Sequence, residues 1–113
     1  MSSYAIAPVA SAARTVTGTS TPTLGLGRAT ALRAQLTVSA AIGTTPTLNA
    51  FIEDTLDGGA TWNVIGTFAQ KVAASQEVIN ITTPFADQIR VRWTIAGTTP
   101  SFTFAVNAFV QFT

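Results

Sequence analysis

Residues 32–52 read LRAQLTVSAAIGTTPTLNAFI, and this stretch carries the clearest sign of the fold class. On each side of GTTPT, which occupies residues 43–47, apolar residues alternate with polar ones. A period of two is typical of a strand with one buried face, because successive side chains of a strand point to opposite faces. Gly43 tolerates a positive φ, and Pro46 fixes its own φ and donates no hydrogen bond. The stretch therefore predicts a hairpin, in which a Gly-Thr-Thr-Pro loop joins two strands.

The same pattern returns near the C-terminus as IRVRWTIAGTTPSFTFAV, residues 89–106, with Gly97 and Pro100 at the turn positions. The two stretches align if three extra residues are allowed before the first turn. Residues predicted to face the core then align with one another, and so do residues predicted to face outward. The aligned pairs are Leu32 with Ile89, Arg33 with Arg90, Leu36 with Trp93, Val38 with Ile95, Leu48 with Phe102, Ala50 with Phe104 and Ile52 with Val106. A looser copy, GTSTPT at residues 18–23, lacks this match. The sequence thus predicts a pseudo-repeated hairpin.

Other runs extend the β pattern. Residues 88–96 and 101–113 alternate clearly, whereas residues 61–72 and 76–82 alternate more weakly. No stretch keeps a helical period between caps. Short strands spaced about 8–12 residues apart are typical of sandwiches and barrels. We predict an all-β fold, an antiparallel β-sandwich of jelly-roll or Ig-like type with about seven to nine short strands.

The first 13 residues differ from the rest because they are uncharged and rich in Ala and Ser. They are either a frayed terminus or an arm that becomes ordered on a neighbouring subunit. Three apolar side chains, Tyr4, Ile6 and Val9, favour the arm and are interface candidates. The predicted organisation is an N-terminal arm over residues 1–13 and a single β-sandwich domain over residues 14–113.

Composition excludes several classes of function. Only 10% of the 113 residues are charged, whereas soluble domains carry about 25%. Such a surface does little to oppose association, although a neutral, Thr-rich free monomer fits the composition as well. The six Lys and Arg are scattered and the net charge is +1, so we expect no nucleic-acid partner. No run approaches the ~20 apolar residues of a membrane span, and no secretory h-region is present, so we expect no membrane partner.

The stretch TLDGGATW, residues 55–62, resembles the Asp-box, a short turn of sialidases and of unrelated β proteins. Asp57 can accept hydrogen bonds from its own turn, and Gly59 supplies a positive φ. Trp62 is placed to cover the base of the hairpin. Since the chain has one such turn, one Tyr and no room for the blades of a propeller, the resemblance implies a structural turn and no sialidase activity.

The sequence offers little to catalysis. It contains neither His nor Cys, which removes the commonest general base and the thiolate nucleophile. Glu53 and Asp54 are adjacent on a strand and point to opposite faces, so they cannot flank one glycosidic bond. Asp54 and Asp57 could supply some of the oxygen ligands of a Ca²⁺ site, but a plain turn is the favoured interpretation. We predict no enzyme, no cofactor and no metal site.

Three arginines, Arg33, Arg90 and Arg92, fall on outward positions of strands. They form either a patch that contacts an acidic partner or ordinary exposed ion pairs with Glu53 or Asp87, which contribute little.

Phe51 and Phe109 break the alternation by placing a large apolar group on the outer face. They mark either a subunit interface or a sheet that is covered on both sides. Together with the three arginines, they complete the set of interface candidates.

Taken in order, LRAQLTV, GTTPTLNAFIEDTLDGGATW and ITTPFADQIRVRWTIAGTTPSFTFAV resemble small β-sandwich virion proteins of tailed bacteriophages. The resemblance covers residues 32–113. It implies an assembly role, and such proteins are commonly head decoration, or cement, proteins. We therefore expect a decoration protein that binds the major capsid protein or another virion protein as a homo-oligomer, with a trimer as the expected form. The location would be the virion, assembled in the host cytoplasm. The alternatives are a tail or fibre component and a sugar- or receptor-binding module, the latter requiring exposed rings at Trp62 and Phe51.

Overall fold

The computed structural model describes residues 2–23, 26 and 29–112, with side chains from Ala5 onward. Within these residues the chain forms six strands and no helix. The strands are β1 (Ser2–Arg14), β2 (Gly18–Thr19), β3 (Ala29–Thr55), β4 (Asn63–Thr67), β5 (Ser75–Ile81) and β6 (Gln88–Phe112). All paired strands are antiparallel, in the order β1-β6-β3-β4, with β2 also on β6 and β5 also on β3. The predicted antiparallel all-β fold is therefore confirmed.

No membrane-spanning helix of sufficient length and apolar character exists in the described part of the chain.

The predicted hairpins are wrong, because GTTPT and GTTPS lie inside continuous strands. Strands β3 and β6 have 27 and 25 residues. They pair with each other along their whole lengths, from Ala29 opposite Phe112 to Thr55 opposite Gln88. Each supposed hairpin is thus one strand, and its pairing partner is the other copy. Alternation on both sides of a Gly-Thr-Thr-Pro segment is the same for a loop and for a bend, so the sequence pattern does not distinguish them.

The two GTTP segments face each other and form a corner. Gly43 and Thr45 have φ of 120° and 47°, and the matching Gly97 and Thr99 have 125° and 46°. The close approaches are reciprocal as well: a Cβ on Gly43 would lie 2.8 Å from the Thr99 carbonyl oxygen, and one on Gly97 would lie 2.9 Å from that of Thr45. The corner therefore has a local pseudo-twofold symmetry, which explains the repeated motif.

Bending at this corner turns one hydrogen-bonded sheet into two packed layers. A straight strand of 27 residues would span about 90 Å, but the longest dimension of the molecule is 45 Å. The first layer contains β1, β5, residues 29–42 of β3 and residues 101–112 of β6, and the second contains β2, β4, residues 47–55 of β3 and residues 88–96 of β6. Across the interior, Trp93 of the second layer meets Phe104 of the first, with ring centroids 5.5 Å apart.

The predicted inward faces form this interior. The buried residues include Leu32, Ala34, Leu36, Val38, Leu48, Ala50, Ile52, Ile89, Val91, Trp93, Phe102, Phe104, Val106, Ala108 and Val110. Period-two alternation predicted these faces correctly because it depends only on the strand geometry, and not on which strands pair.

The internal alignment holds only after the corner. Phe104 corresponds to Ala50, as aligned. However, Phe104 pairs with Val38 while Ala50 pairs with Trp93, so Val38 is the true counterpart of Trp93. The sequence alignment before the corner is thus displaced by two residues, because it allows three extra residues in β3, whereas the register shift between Val38 and Ala40 adds only one. Arg33 and Arg90 are consequently not equivalent positions.

The segment predicted to be an arm is an edge strand of the first layer. Strand β1 pairs with β6 from Ser2 opposite Phe112 to Arg14 opposite Phe102. Val9 is only 2% exposed and belongs to the core. Register shifts on either side of Val9 break the period of two, which hid this strand in the sequence. Within the described residues no boundary separates the arm from the domain, while Met1 and Thr113 lie outside those residues.

The turn between β3 and β4 is held by its own side chains. The Thr55 hydroxyl donates to Asp57 Oδ1 at 2.9 Å and accepts from the Gly59 N–H at 2.8 Å. The Thr61 N–H donates to Asp57 Oδ1 at 2.8 Å, and Trp62 Nε1 donates to the Gly59 carbonyl at 3.1 Å. Hydrogen bonds from Thr61 and Thr55 hold the pKa of Asp57 below its ordinary value of 3.8. These contacts fit the predicted structural turn, while the Asp-box resemblance stays a prediction.

Asp57→Asn is expected to lower the melting temperature at neutral pH, by less than any core substitution. Because the folded pKa of Asp57 is depressed, its ionised form stabilises the fold above the unfolded pKa near 3.8. That contribution is lost as the pH falls through the folded pKa. Thermal unfolding of both proteins, followed from neutral to strongly acid pH, should show a difference that shrinks in acid. A difference independent of pH would contradict this role of Asp57.

Candidate functional site

A groove of about 560 Å³ lies on the outer face of the first layer. Strands β1, β6, β3 and β5 all contribute to it. Its lining includes Ala5, Ile6, Arg33, Gln35, Val78 and Phe109, and we call it the Phe109 groove. The Phe109 side chain is 50% exposed and that of Val78 is 37% exposed. The groove therefore offers apolar area to another molecule.

Strand pairing explains how this surface forms. Phe109 points outward because its neighbours Ala108 and Val110 point into the core. Its cross-strand neighbours are Ala5 on β1 and Arg33 on β3. A second hollow of about 280 Å³ is also lined by Phe109 and Arg33. These two side chains thus stand between two hollows on one face.

The interface candidates on the first layer separate into two groups. Arg33 and Phe109 come together at the Phe109 groove, whereas Ile6 lines the groove but packs against the core. Val9 does not line the groove, because its side chain is buried in the core, and this interface prediction is wrong. The backbone of Tyr4 pairs with that of Val110, and the Tyr4 side chain lies outside what the structure describes.

The outer face of the second layer carries a different surface. Arg90 Nε donates to Glu53 Oε1 and Arg92 Nε to Glu53 Oε2, each at 2.9 Å. The Glu53 side chain is only 6% exposed. Burial alone would raise the pKa of Glu53, but the hydrogen bonds and charges of Arg92 and Arg90 outweigh it and hold the pKa below its ordinary value. The predicted pairing of outward arginines with Glu53 is confirmed for these two.

Two aromatic rings complete this surface. The Arg90 guanidinium lies 4.3 Å from the centroid of Trp62, and that of Arg92 lies 4.3 Å from the centroid of Phe51. Glu53, Arg90, Arg92, Trp62 and Phe51 are named the arginine cluster below. Phe51 does point outward, as its break in the alternation predicted, but a guanidinium covers its ring and leaves it half-buried.

Sequence reasoning missed two parts of these surfaces. It did not find Val78 or Gln35 in the groove, because they reach Phe109 through pairing of β5 and β6 with β3. Nor did it find the stacking of Trp62 on Arg90, because Trp62 comes from the turn and not from the paired strands. The weak alternation of residues 76–82 predicted the strand that carries Val78, but it did not predict the pairing of that strand with β3.

The two carboxylates considered as Ca²⁺ ligands are engaged by backbone N–H groups. Asp54 accepts from the Ala86 N–H at 3.0 Å and Asp57 accepts within its own turn, so the two carboxylates proposed for Ca²⁺ serve separate backbone groups. Among the described residues, no three acidic side chains converge. What the two faces present is apolar area in one layer and guanidinium donors in the other.

A scan against protein-family models finds no match, and a comparison with curated proteins finds none either. Solved structures do share the fold. The PBSX exported protein XepA is 17% identical with a TM-score of 0.65, over 97% of this chain and 37% of that one. The VP2 subviral particle of infectious bursal disease virus is 14% identical with a TM-score of 0.57, over 98% of this chain and 32% of that one.

The SPBc2 prophage-derived protein YomS is 10% identical with a TM-score of 0.54, over 96% of this chain and 92% of that one. The chain thus spans about a third of the length of XepA and of VP2, and nearly all of YomS. At such identities the likeness concerns the fold. The chain is an all-β protein that shares its architecture with a prophage-derived protein and with a protein of a virus particle.

Proposed function

We propose that the protein is a non-enzymatic structural protein of a tailed-bacteriophage virion, specifically a decoration protein that bridges major capsid protein subunits of the assembled head. The observation that carries the proposal is the Phe109 groove, where a half-exposed aromatic ring stands on the outer face of a sheet. The low charge of the chain favours the same conclusion. The fold shared with prophage-derived and viral particle proteins supports it.

The mechanism would be mechanical. Burying the exposed half of Phe109 contributes on the order of 1 kcal/mol per copy, since full burial of such a side chain contributes about 1.5–3 kcal/mol. A homo-oligomer, proposed to be a trimer, would multiply this gain by linking several weak contacts. If the contact spans a junction between capsid subunits, it forms only on the assembled lattice. Binding would then stabilise the head against internal pressure from packed DNA.

Phe109→Ser is expected to weaken binding to heads that lack the protein by about tenfold, as is typical when an interface aromatic is truncated. The measurement is co-sedimentation of the full chain with purified heads, together with thermal rupture of the decorated heads. Ile42→Ser is the matched control, because Ile42 is 63% exposed at the corner and outside the groove.

Equal binding by wild type and Phe109→Ser would contradict the assignment of the groove. Failure of the wild type to bind heads at all would contradict the decoration function itself. Sedimentation velocity of both proteins tests the trimer: a monomeric wild type would remove the proposed multivalency.

The sugar-binding alternative has less support. Its two candidate rings, Trp62 and Phe51, lie under the guanidiniums of Arg90 and Arg92, which occupy the faces that would stack on a sugar. A glycan screen with Trp62→Ala as control distinguishes the two functions. Wild-type binding that is lost in Trp62→Ala would favour a tail or fibre module over a decoration protein.

A further inference from the structure

The arginine cluster has guanidinium donors beyond those that bind Glu53. Each guanidinium uses its Nε for Glu53. Within the described part of the chain, no acceptor lies on the Nη groups of Arg90 or Arg92. The two side chains are 23% and 32% exposed, so a molecule at the surface can reach them. Two cations around one buried carboxylate leave a local charge of +1.

The two guanidiniums are also held in place. Each is fixed by an ion pair on one side and by an aromatic ring on the other. Arginine loses little further side-chain entropy on binding when its planar fork is already oriented. Arg and Trp are the residue types enriched at the energetic centres of protein interfaces. Val64, 48% exposed and opposite Glu53 on β4, adds apolar area beside them.

The spacing identifies the partner chemistry. Arg90 and Arg92 are two residues apart on β6, so their side chains leave the same face about 7 Å apart. An extended chain with acidic residues at alternate positions has the same spacing between its carboxylates. Each Nη pair then meets one carboxylate in a charge-assisted hydrogen bond. A protein segment in this conformation matches both the charge and the repeat of the cluster.

We infer that the arginine cluster is a docking surface for an extended acidic segment of a partner protein, with Asp or Glu at every second position. The inference rests on the proposed function, because it describes the chemistry of a partner protein in the virion. It uses the outer face of the second layer, whereas the proposed decoration contact uses the Phe109 groove of the first. A result that contradicts the role of the Phe109 groove therefore leaves the role of the arginine cluster open to its own test, and the reverse also holds.

The test is an NMR titration of the full chain with the capped peptide Thr-Glu-Thr-Glu-Thr-Glu-Thr, following the Nε–H signals of Arg90 and Arg92. The control peptide has the same composition with its three Glu in one block. We expect the alternating peptide to bind more tightly, and binding to weaken with added salt. Absence of any shift at millimolar peptide, or equal affinity for both peptides, overturns the inference.

Three variants sharpen the result. Glu53→Gln removes the competing carboxylate and should strengthen binding by several-fold. Glu53→Gln with Arg90→Gln and Arg92→Gln removes all three charges, leaves no buried charge unpaired, and should weaken binding by about tenfold. Ile42→Ser, at the corner and outside both surfaces, should bind like the wild type. Circular dichroism verifies that each variant is folded.

A purely structural cluster predicts a different outcome. In that case Glu53→Gln would not strengthen binding and the triple variant would bind like the wild type. Equal affinity for duplex DNA of the same charge would also overturn the inference, because it would reduce the surface to a general anion site. Failure of the Phe109→Ser test leaves this titration unaffected.

Discussion

Gly97→Ala is expected to destabilise the protein by about 3 kcal/mol or more, because it combines backbone strain with a steric clash. Gly97 has a φ of 125°, which side-chain-bearing residues rarely adopt. Its new Cβ would lie 2.9 Å from both the Thr45 carbonyl oxygen and the Pro46 Cα. These are backbone atoms, so relief requires the corner itself to open. Chemical denaturation of wild type and variant measures the loss.

Gly58→Ala is the matched control for this prediction. Gly58 also has a positive φ, of 76°, but nothing lies within 4 Å of a Cβ built there. The strain alone should cost about 1–2 kcal/mol. Gly43→Ala should behave like Gly97→Ala, because the two glycines occupy equivalent positions at the corner. If Gly97→Ala lowers the free energy of unfolding by no more than Gly58→Ala does, the close approach of β3 and β6 at the corner is contradicted.

Phe104→Ala is expected to cost about 3–5 kcal/mol, which is typical of a large aromatic side chain removed from a core. Phe104 is fully buried between the layers. Its ring meets the edge of Trp93, and the Arg14 guanidinium lies 4.8 Å from its centroid. The substitution leaves a cavity where both layers and β1 meet. The free energy of unfolding in denaturant is the measurement, with an unchanged m-value showing that the native fold is retained.

Phe109→Ala is the control, since Phe109 lies on the same strand and faces outward. With half of its side chain exposed, it should cost less than about 1 kcal/mol. The two substitutions therefore separate stability from binding, because Phe104 serves the core and Phe109 the proposed contact. If Phe104→Ala and Phe109→Ala lower the free energy of unfolding equally, the assignment of Phe104 to the core and of Phe109 to the outer face is contradicted.

The location of the two surfaces matters for an assembly role. The Phe109 groove lies on the outer face of the first layer and the arginine cluster on that of the second. A partner on one layer leaves the other layer accessible. One copy can thus contact two neighbours, which is what bridging across a capsid junction requires. The proposed groove contact is mainly apolar and the proposed cluster contact mainly ionic, so salt should weaken only the second.

The sequence predicted the buried faces well and the connections poorly. Alternation around residues 43–47 and 97–101 depends on the geometry of single strands, so Leu36, Leu48 and Phe104 were assigned to the core correctly. Whether GTTPT closes a hairpin or bends a strand depends on the partner strand. Its partner is 54 residues away, at Thr98 opposite Thr44. No local pattern contains that information.

The N-terminal segment shows the same limit. Val9 packs in the core although β1 lacks a clean alternation, because its bulges shift the register twice. Arg33 and Arg90 looked equivalent in the sequence, but strand pairing places Arg33 opposite Phe109 and Arg90 opposite Glu53. The sequence identified the candidate residues of each surface by residue type. Which of them come together in the Phe109 groove or in the arginine cluster depends on strand pairing.

By itself, the amino-acid sequence determined that the chain is an antiparallel β protein, which side of each strand is buried, and that the turn at Asp57 is held by its own residues. These properties arise from interactions within a few residues along the chain. Only the folded chain shows that two long strands bend together at a shared corner, that residues 2–14 complete the first layer, and that Arg90 and Arg92 share Glu53. Those features depend on contacts between distant segments, which form only when the two layers close over a common core.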